Sequence, residues 1–332
     1  MKRLYSILLR SLIAAAVFTG LSSCMKDDLD GCVDPRGNTR ILVKFNPDMY
    51  ELPENEHQID SVHVYVFDEN DKFVTAWNGG CYDYLSGEEY EVFVNLDEGI
   101  YQFIAWTNPC DSYRFSHAFS DCQPQVTTLQ QLELYLSSTT DKCYRSEIPD
   151  LHHGIYRRAA IVPNQNNLYI IYLIPDTYRI NVTVKGLDVT TDSYEFNIRD
   201  NNSHYSFENA VVSGKDDIQH IRNSRFNGNQ IDASMRILPL TNYHRLPSSW
   251  IQDQTRLAND RSPQFSFTNT TADEVHYSED LVKMIRTAYE NGGQAVDFTK
   301  TYEFDIVLTF DVNMNVTITV NGWSYHYNPT EL

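Results

Sequence analysis

The chain is short of positive charge: 26 Lys and Arg stand against 45 Asp and Glu in 332 residues, a formal net charge of -19. A phosphate backbone is bound through released counterions and needs a basic footprint, so nucleic acid is excluded as a partner. Glycine, at 14, and proline, at 12, do not exceed ordinary usage, which removes collagenous and low-complexity readings. No apolar run is long enough to span a bilayer; the best window, Ser11 to Met25, falls short of the roughly 20 residues that a spanning helix needs. No CxxC occurs, and His117, His152 and His153 do not stand at structural-zinc spacings, so no metal is expected. The nucleophile and metalloprotease signatures GxSxG and HExxH are missing, as are glycine-rich phosphate loops. An enzyme, a cofactor and a small-molecule substrate are therefore not predicted.

Aromatic residues, by contrast, are plentiful: 22 Tyr, 16 Phe and 4 Trp. With the Val, Ile and Leu they supply enough apolar surface to offset the entropy of ordering, so the chain is expected to fold. The first 23 residues form an export signal. Lys2, Arg3 and Arg10 make its positive region, and SLIAAAVFTG its uncharged apolar stretch. The signal ends Leu21-Ser22-Ser23-Cys24, which resembles the bacterial lipobox, whose cysteine is acylated and becomes the new N-terminus. Each buried methylene of an acyl chain contributes about 0.8 kcal/mol, so two or more chains on Cys24 hold a folded domain on a bilayer. Losing the signal removes three cations and no acid, so 23 basic residues face 45 acidic ones at a formal charge of -22. Such a surface repels anionic headgroups, which leaves acylation as the means of attachment. Lys26, Asp27 and Asp28 follow in the tether of residues 24–38, and resemble the lysine-plus-acids signal for display on the outer face of the outer membrane.

Beyond the tether the pattern is mostly period two. Strands are predicted at Arg40 to Phe45, Ser61 to Phe67, Lys72 to Trp77, Tyr90 to Leu96, Ile100 to Trp106, Leu168 to Ile174 and Tyr178 to Val184. More are predicted at Tyr194 to Ile198, Ser234 to Pro239, Gln264 to Phe267, Thr301 to Phe310 and Val316 to Val320. Asp68 to Asp71 reads as a hairpin turn and not a calcium loop, because Phe73, Val74 and Trp77 fill the stretch that would carry the later ligands. Tyr101, Phe103, Ile104 and Trp106 are expected in the core. One helix is signalled by Ser278 as cap, Glu279 and Asp280 in its first turn, an apolar face of Leu281, Ile285, Ala288 and Tyr289, and a stop at Asn291-Gly292-Gly293. A second, weaker helix is predicted between Thr127 and Leu136. The fold class is mainly β, a sandwich architecture, with a boundary near Asp176 dividing residues 39–175 from 176–332.

Besides Cys24 the cysteines are Cys32, Cys81, Cys110, Cys122 and Cys143, all before that boundary. Disulfides persist in exported chains, and five thiols form at most two bonds in arrangements that the sequence does not rank. Cys110 and Cys122 bracket a short aromatic loop and are the first pair to expect. His152-His153-Gly154 reads as a surface loop, since no acidic partner stands at a fixed spacing.

Several pieces, in order, resemble the fimbrillin-A-associated, minor-fimbria anchor lipoproteins of bacteroidal bacteria: LSSC with its acidic tether, TRILVKF at 39 to 45, IDSVHVYVFDENDKFV at 59 to 74, YQFIAWTN at 101 to 108, HHG at 152 to 154, TYRINVTVKGL at 177 to 187 and VTITVNGW at 316 to 323. The resemblance implies two tandem transthyretin-like β-sandwich domains and a place at the base of a fimbria in the outer membrane. It also implies assembly with fimbrial stalk subunits by strand donation, in which one subunit's terminal segment fills a groove in its neighbour. Related stalk subunits lose a lipidated N-terminal strand to an arginine-specific protease. An anchor keeps strand and lipid, and here Ile41, Val43 and Phe45 mark the retained strand, with Arg36 and Arg40 ahead of it. The other reading, from the aromatic excess, is a tip adhesin or glycan-binding surface lipoprotein.

Overall fold

A computed structural model describes residues 35–45, 61–79, 89–107, 112–117, 120–137, 141–187, 192–212, 217–227, 229–238, 262–298 and 300–327. Among them the chain is mainly β, and no helix is long and apolar enough to cross a membrane. Alternating, β-branched segments give β1 (Thr39–Phe45), β2 (Val62–Asp68), β3 (Phe73–Gly79), β4 (Glu89–Val94) and β5 (Gly99–Thr107). After an excursion come β9 (His152–Ile161) and β10 (Asn167–Pro175), and the seven pair in the order β3-β2-β5-β9-β10-β1-β4. The series turns a corner between β9 and β10, which share only the pairs Ile174↔His153 and Pro175↔His152. Gly154 permits that corner, because a Cβ there would meet Ile171 Cγ2 at 2.5 Å and the Tyr172 carbonyl oxygen at 2.8 Å. Side chains from both arms then share one core, including Ile41, Val43, Val64, Phe103 and Ile171.

The other face of β2, β3 and β5 carries Tyr65, Phe67, Phe73, Ile104 and Trp106, and the excursion covers it. Its elements are β6 (Tyr113–Phe115), β7 (Glu133–Leu136) and β8 (Cys143–Tyr144). Tyr101, Phe103, Ile104 and Trp106 are all buried, as the sequence predicts. The weaker predicted helix at Thr127 to Leu136 is instead a 3-10 turn, Leu129–Gln131, running into β7. Leu132, Leu134 and Leu136 point inward at every second residue, a strand spacing. At Asp68 to Asp71 the hairpin turn is formed, with Asp68 Oδ1 accepting from the backbone of Asn70 and Lys72 at 2.9 Å each.

The second half opens with β11 (Tyr178–Lys185), β12 (Tyr194–Asp200), β13 (His204–Ser206), β14 (Ile218–Asn223), β15 (Arg225–Asn227) and β16 (Gln230–Ile237). It ends with β17 (Gln264–Asn269), β18 (Glu274–Asp280), α1 (Leu281–Asn291), β19 (Glu303–Phe310), β20 (Val316–Val320) and β21 (Trp323–Tyr327). Two sheets, β15-β16-β11-β19-β20-β21 and β18-β17-β12-β14-β8, enclose a core of Ile180, Val182, Phe196, Phe265, Phe304 and their neighbours. The predicted helix is present but starts later: Asp280 is its cap, accepting from Lys283 N at 2.8 Å, while Ser278 and Glu279 end β18. Glu279 accepts from Tyr277 at 2.5 Å and Tyr325 at 2.8 Å, tying β21 to this corner.

The halves interlock. β8 lies before Asp176 yet pairs with β14, and β13 lies after it yet pairs with β7. The first core ends at Leu173 and the last begins at Tyr178, whereas the layer over Trp106 also takes Tyr205, Ile218 and Leu238. A division at residue 175 is thus proposed for two of the three cores and crossed by the middle one. Arg236 bridges the junction, 2.7 Å from Asp150 and 3.6 Å from Glu147. Asp176 is buried there, accepts from Asn209 through Oδ1, and has no partner for Oδ2.

Candidate functional site

The segment TRILVKF becomes β1 because β-branched and aliphatic residues at 41, 42 and 43 fit a pleated, buried surface. It is an interior strand, paired in parallel with β10 from Thr39↔Asn167 to Phe45↔Leu173 and antiparallel with β4 from Thr39↔Val94 to Lys44↔Glu89. Ile41 and Val43 are fully buried among Val92, Val94, Ile171 and Leu173; Phe45 is partly buried, its ring 4.8 Å from that of His152. Burying an aliphatic side chain of this size contributes about 1.5–3 kcal/mol, so Ile41 and Val43 hold the strand more firmly than its surface charges do.

Its upstream end is moored by two asparagines that the sequence reading passed over. Asn38 donates to the Leu96 carbonyl at 2.7 Å and accepts from Leu96 N at 3.0 Å, while Asn167 N and Nδ2 donate to the Asn38 carbonyl at 2.9 and 3.1 Å. Asx side chains that satisfy backbone groups on neighbouring strands leave no periodic mark in a sequence, which is why they escaped notice. Arg40 forms an ion pair with Glu91; Arg36 stands 3.9 Å from the same carboxylate and stacks 3.8 Å from the centre of the Phe93 ring. Both arginines are largely exposed, so these pairs contribute under about 1 kcal/mol each.

The two arginines differ in their backbone. Arg40 is paired on both sides, opposite Leu168 and Phe93, whereas Arg36 lies in the turn before the strand. A cut after either one leaves Ile41 to Phe45 joined to the rest of the chain. No arginine occurs between Arg40 and Arg114, so an arginine-specific protease has no site between β1 and β2.

Cys24, Lys26, Asp27, Asp28, Cys32, Cys81 and Cys110 lie outside the described residues. The Cys122 sulfur faces the layer over Trp106 and donates to the His117 carbonyl at 3.7 Å, while Cys110, the partner expected for it, lies outside the described residues. Burial, with Asp121 adding to it, pushes the Cys122 thiol up to about 11. Cys143 sits on β8 with its sulfur 3.2 Å from the Asp141 carbonyl. His152 and His153 overturn the surface-loop expectation. Both are buried on β9, His152 Nδ1 lying 3.1 Å from Thr107 Oγ1 and His153 Nε2 3.0 Å from the Phe207 carbonyl. Polar partners from distant segments make that burial tolerable, and local spacing could not reveal them. Among the described residues no group of three or more His, Cys, Asp or Glu could hold a metal ion.

The model of the family described as fimbrillin-A associated anchor proteins Mfa1 and Mfa2 matches residues 29–329. No curated protein matches the sequence. Among solved structures, a candidate polysaccharide-binding protein from Bacteroides thetaiotaomicron is 20% identical with a TM-score of 0.67, covering 89% of this chain and 100% of its own. A candidate adhesin from Bacteroides ovatus is 21% identical with a TM-score of 0.64, covering 88% and 96%. The fimbrial anchor protein Mfa2 from Porphyromonas gingivalis is 19% identical with a TM-score of 0.63, covering 87% and 99%.

Proposed function

The chain belongs to the family of fimbrillin-A associated anchor proteins, and from that membership we propose that it is a lipid-anchored protein of the outer-membrane surface that holds a fimbria to the cell. Acyl chains on Cys24 attach it, Lys26, Asp27 and Asp28 direct it to the outer face, and its incorporation at the base limits the fimbria's length. The observation that carries this reading is β1, seated between β4 and β10 with no arginine downstream of it before Arg114. A subunit whose own strand fills that place does not accept a neighbour's strand there. It therefore ends a series of strand donations at one end.

Cys24→Ala is the test. Cells carrying it are expected to shed fimbriae into the medium, with shed and cell-bound subunits measured by immunoblot. Fimbriae that stay on the cells would show that the lipid is not the anchor, and unchanged fimbrial length on deleting the whole chain would remove the length-limiting role.

The second reading is an adhesin, favoured by the likeness to the candidate polysaccharide-binding protein and the candidate adhesin of Bacteroides. Tyr172, Phe226 and Trp323 are exposed, on β10, β15 and β21 respectively. Glycan-array binding that is lost with one of these rings would favour it over the anchor.

A further inference from the structure

Strand directions give the molecule two poles. The tether enters at Asn38, beside the start of β10 and the end of β9. The chain leaves this sandwich at Pro175 and runs up β11, which ends at Lys185 beside Thr309 and Gln230. That end of the second sandwich, reached last along the path from the tether, collects the start of β12, the β15 ribbon, the β17–β18 turn and the β19–β20 turn. Tyr194 links them, with ring centres 6.3 Å from Phe226, 5.2 Å from Phe267 and 6.0 Å from His276; Phe310 lies 6.4 Å from Phe267. Gly186 (φ +84) lets the chain leave β11 tightly, since a Cβ there would meet the Phe310 carbonyl oxygen at 1.9 Å.

Four large apolar side chains stand out at this pole: Val312 is 98% exposed, Val275 59%, Met314 50% and Phe226 48%. The β19–β20 turn does not need its two. Its conformation is set by Asp311, whose Oδ1 accepts from Asn313 N at 2.7 Å and Asn315 N at 2.9 Å, and by the Met314 N bond to the Asp311 carbonyl at 3.0 Å. Met314 sits at φ +62, where glycine or asparagine is the ordinary choice and a bulky side chain is strained. An apolar residue held at backbone cost in a fully exposed turn points to a contact made outside the chain.

We infer that this tether-distal pole, centred on Val312, Met314, Val275 and Phe226, is the seat of the next fimbrial protein, which meets it with an apolar depression rimmed by basic side chains. The inference rests on the anchor reading, in which the chain is held through its N-terminal tether and the end reached last along β10 and β11 is left for the next fimbrial protein. Charge argues the same way. Asp273 and Glu274 precede Val275, Asp311 precedes Val312 and Asp192 stands two residues before Tyr194, against Lys185 and Arg225 at the same strand ends, an acidic balance that opposes insertion into anionic lipid and suits a basic protein rim. Aliphatic and methionine side chains are protein-contact chemistry; a sugar platform would need flat aromatic faces with polar partners.

The test uses the full mature chain, lipidated in vesicles of phosphatidylethanolamine, and fimbriae sheared from a strain that lacks it. The variant Val312→Asp with Met314→Asn keeps the Asp311 turn and relieves the left-handed position, so its melting temperature is expected to equal or exceed that of the parent. Its fimbrial binding is expected to fall about tenfold or more. Val275→Asp alone is expected to weaken binding, and Val162→Asp, beside the tether, to leave it unchanged. Parent-like binding by the double variant would overturn the proposal while leaving the anchor reading in place. A parent chain that binds no fimbriae would sink the anchor reading and the proposal together. A patch whose loss alters vesicle attachment of the unlipidated Cys24→Ala chain, and not fimbrial binding, would be a lipid contact and would also overturn it.

Discussion

Replacing Ile41 and Val43 together with alanine is expected to leave the first sandwich largely unfolded. Both side chains are fully buried in one core, and truncating an isoleucine or valine in such a place costs about 1–4 kcal/mol for the lost contacts and the cavity. The pair together reaches about 3–7 kcal/mol, comparable with the whole stability of an ordinary domain. The cost exceeds the strand's own, because loosening β1 exposes the facing edges of β4 and β10. Urea denaturation of the mature chain, followed by tryptophan fluorescence, measures it. Arg40→Ala, which removes only an exposed ion pair, is the comparison and is expected to cost under about 1 kcal/mol. If the double variant unfolds at the parental midpoint, β1 is dispensable and the retained-strand reading falls. If it unfolds early, a synthetic Thr39–Phe45 peptide is expected to restore part of the loss by occupying the same place, whereas the peptide with alanine at 41 and 43 is not.

The junction is expected to have two opposing pH dependences. Asp176 is buried and meets only the Asn209 amide, so burial holds its carboxyl well above the usual 3.8. A proton on it also offers a donor to the otherwise unpartnered Asn209 carbonyl oxygen. The folded chain thus keeps a proton that the unfolded chain releases. Stability is full below 3.8 and is lost as pH rises toward the folded value, by about 1.4 kcal/mol per pH unit. His220 runs the other way. Neither ring nitrogen has a partner, and burial, with Arg222 adding to it, pushes the imidazole down to about 3. Its contribution is full above 6.5 and is lost as pH falls toward 3, again by about 1.4 kcal/mol per unit. Asp176→Asn is expected to make the chain relatively more stable as pH rises, and His220→Phe, beside the Tyr144 ring, relatively more stable as pH falls. Urea midpoints across about pH 4 to 8 check both signs. Profiles parallel to the parent's would mean that neither group is held neutral.

Strands with one buried face, β11, β19 and β20, were legible through the period two that such a face imposes, and β1, β2 and β5, buried on both faces, through their β-branched and aromatic runs. Three kinds of feature were not. Short pairings such as β8 and β13 carry two or three residues and depend on partners about 70 residues away, so no local window contains their cause. Residues 127 to 136 carry leucines that satisfy a helical spacing or a strand spacing equally, and only the layer over Trp106 decides between them. The buried histidines at 152 and 153 owe their place to Thr107 and Phe207, which sequence spacing does not connect. At the candidate site the apolar positions 41 and 43 were readable, while the Asn38 and Asn167 mooring was not. Asparagine in a polar loop looks the same whether or not it closes a strand end.

The parallel pairing of β1 with β10 has a mechanical meaning. A fimbria dragged by flow pulls away from the membrane, and in the proposed arrangement that load enters at Asn38 and leaves this sandwich through Pro175. Because β1 and β10 run side by side in the same direction, the two ends are drawn in opposite senses along a ladder of seven register pairs. Every rung is strained at once, in shear, instead of one after another as in unzipping. The same alignment that seats a short strand in the sheet places its resistance along the line of pull, where the tether of the proposed anchor would otherwise have only a few side chains to hold against.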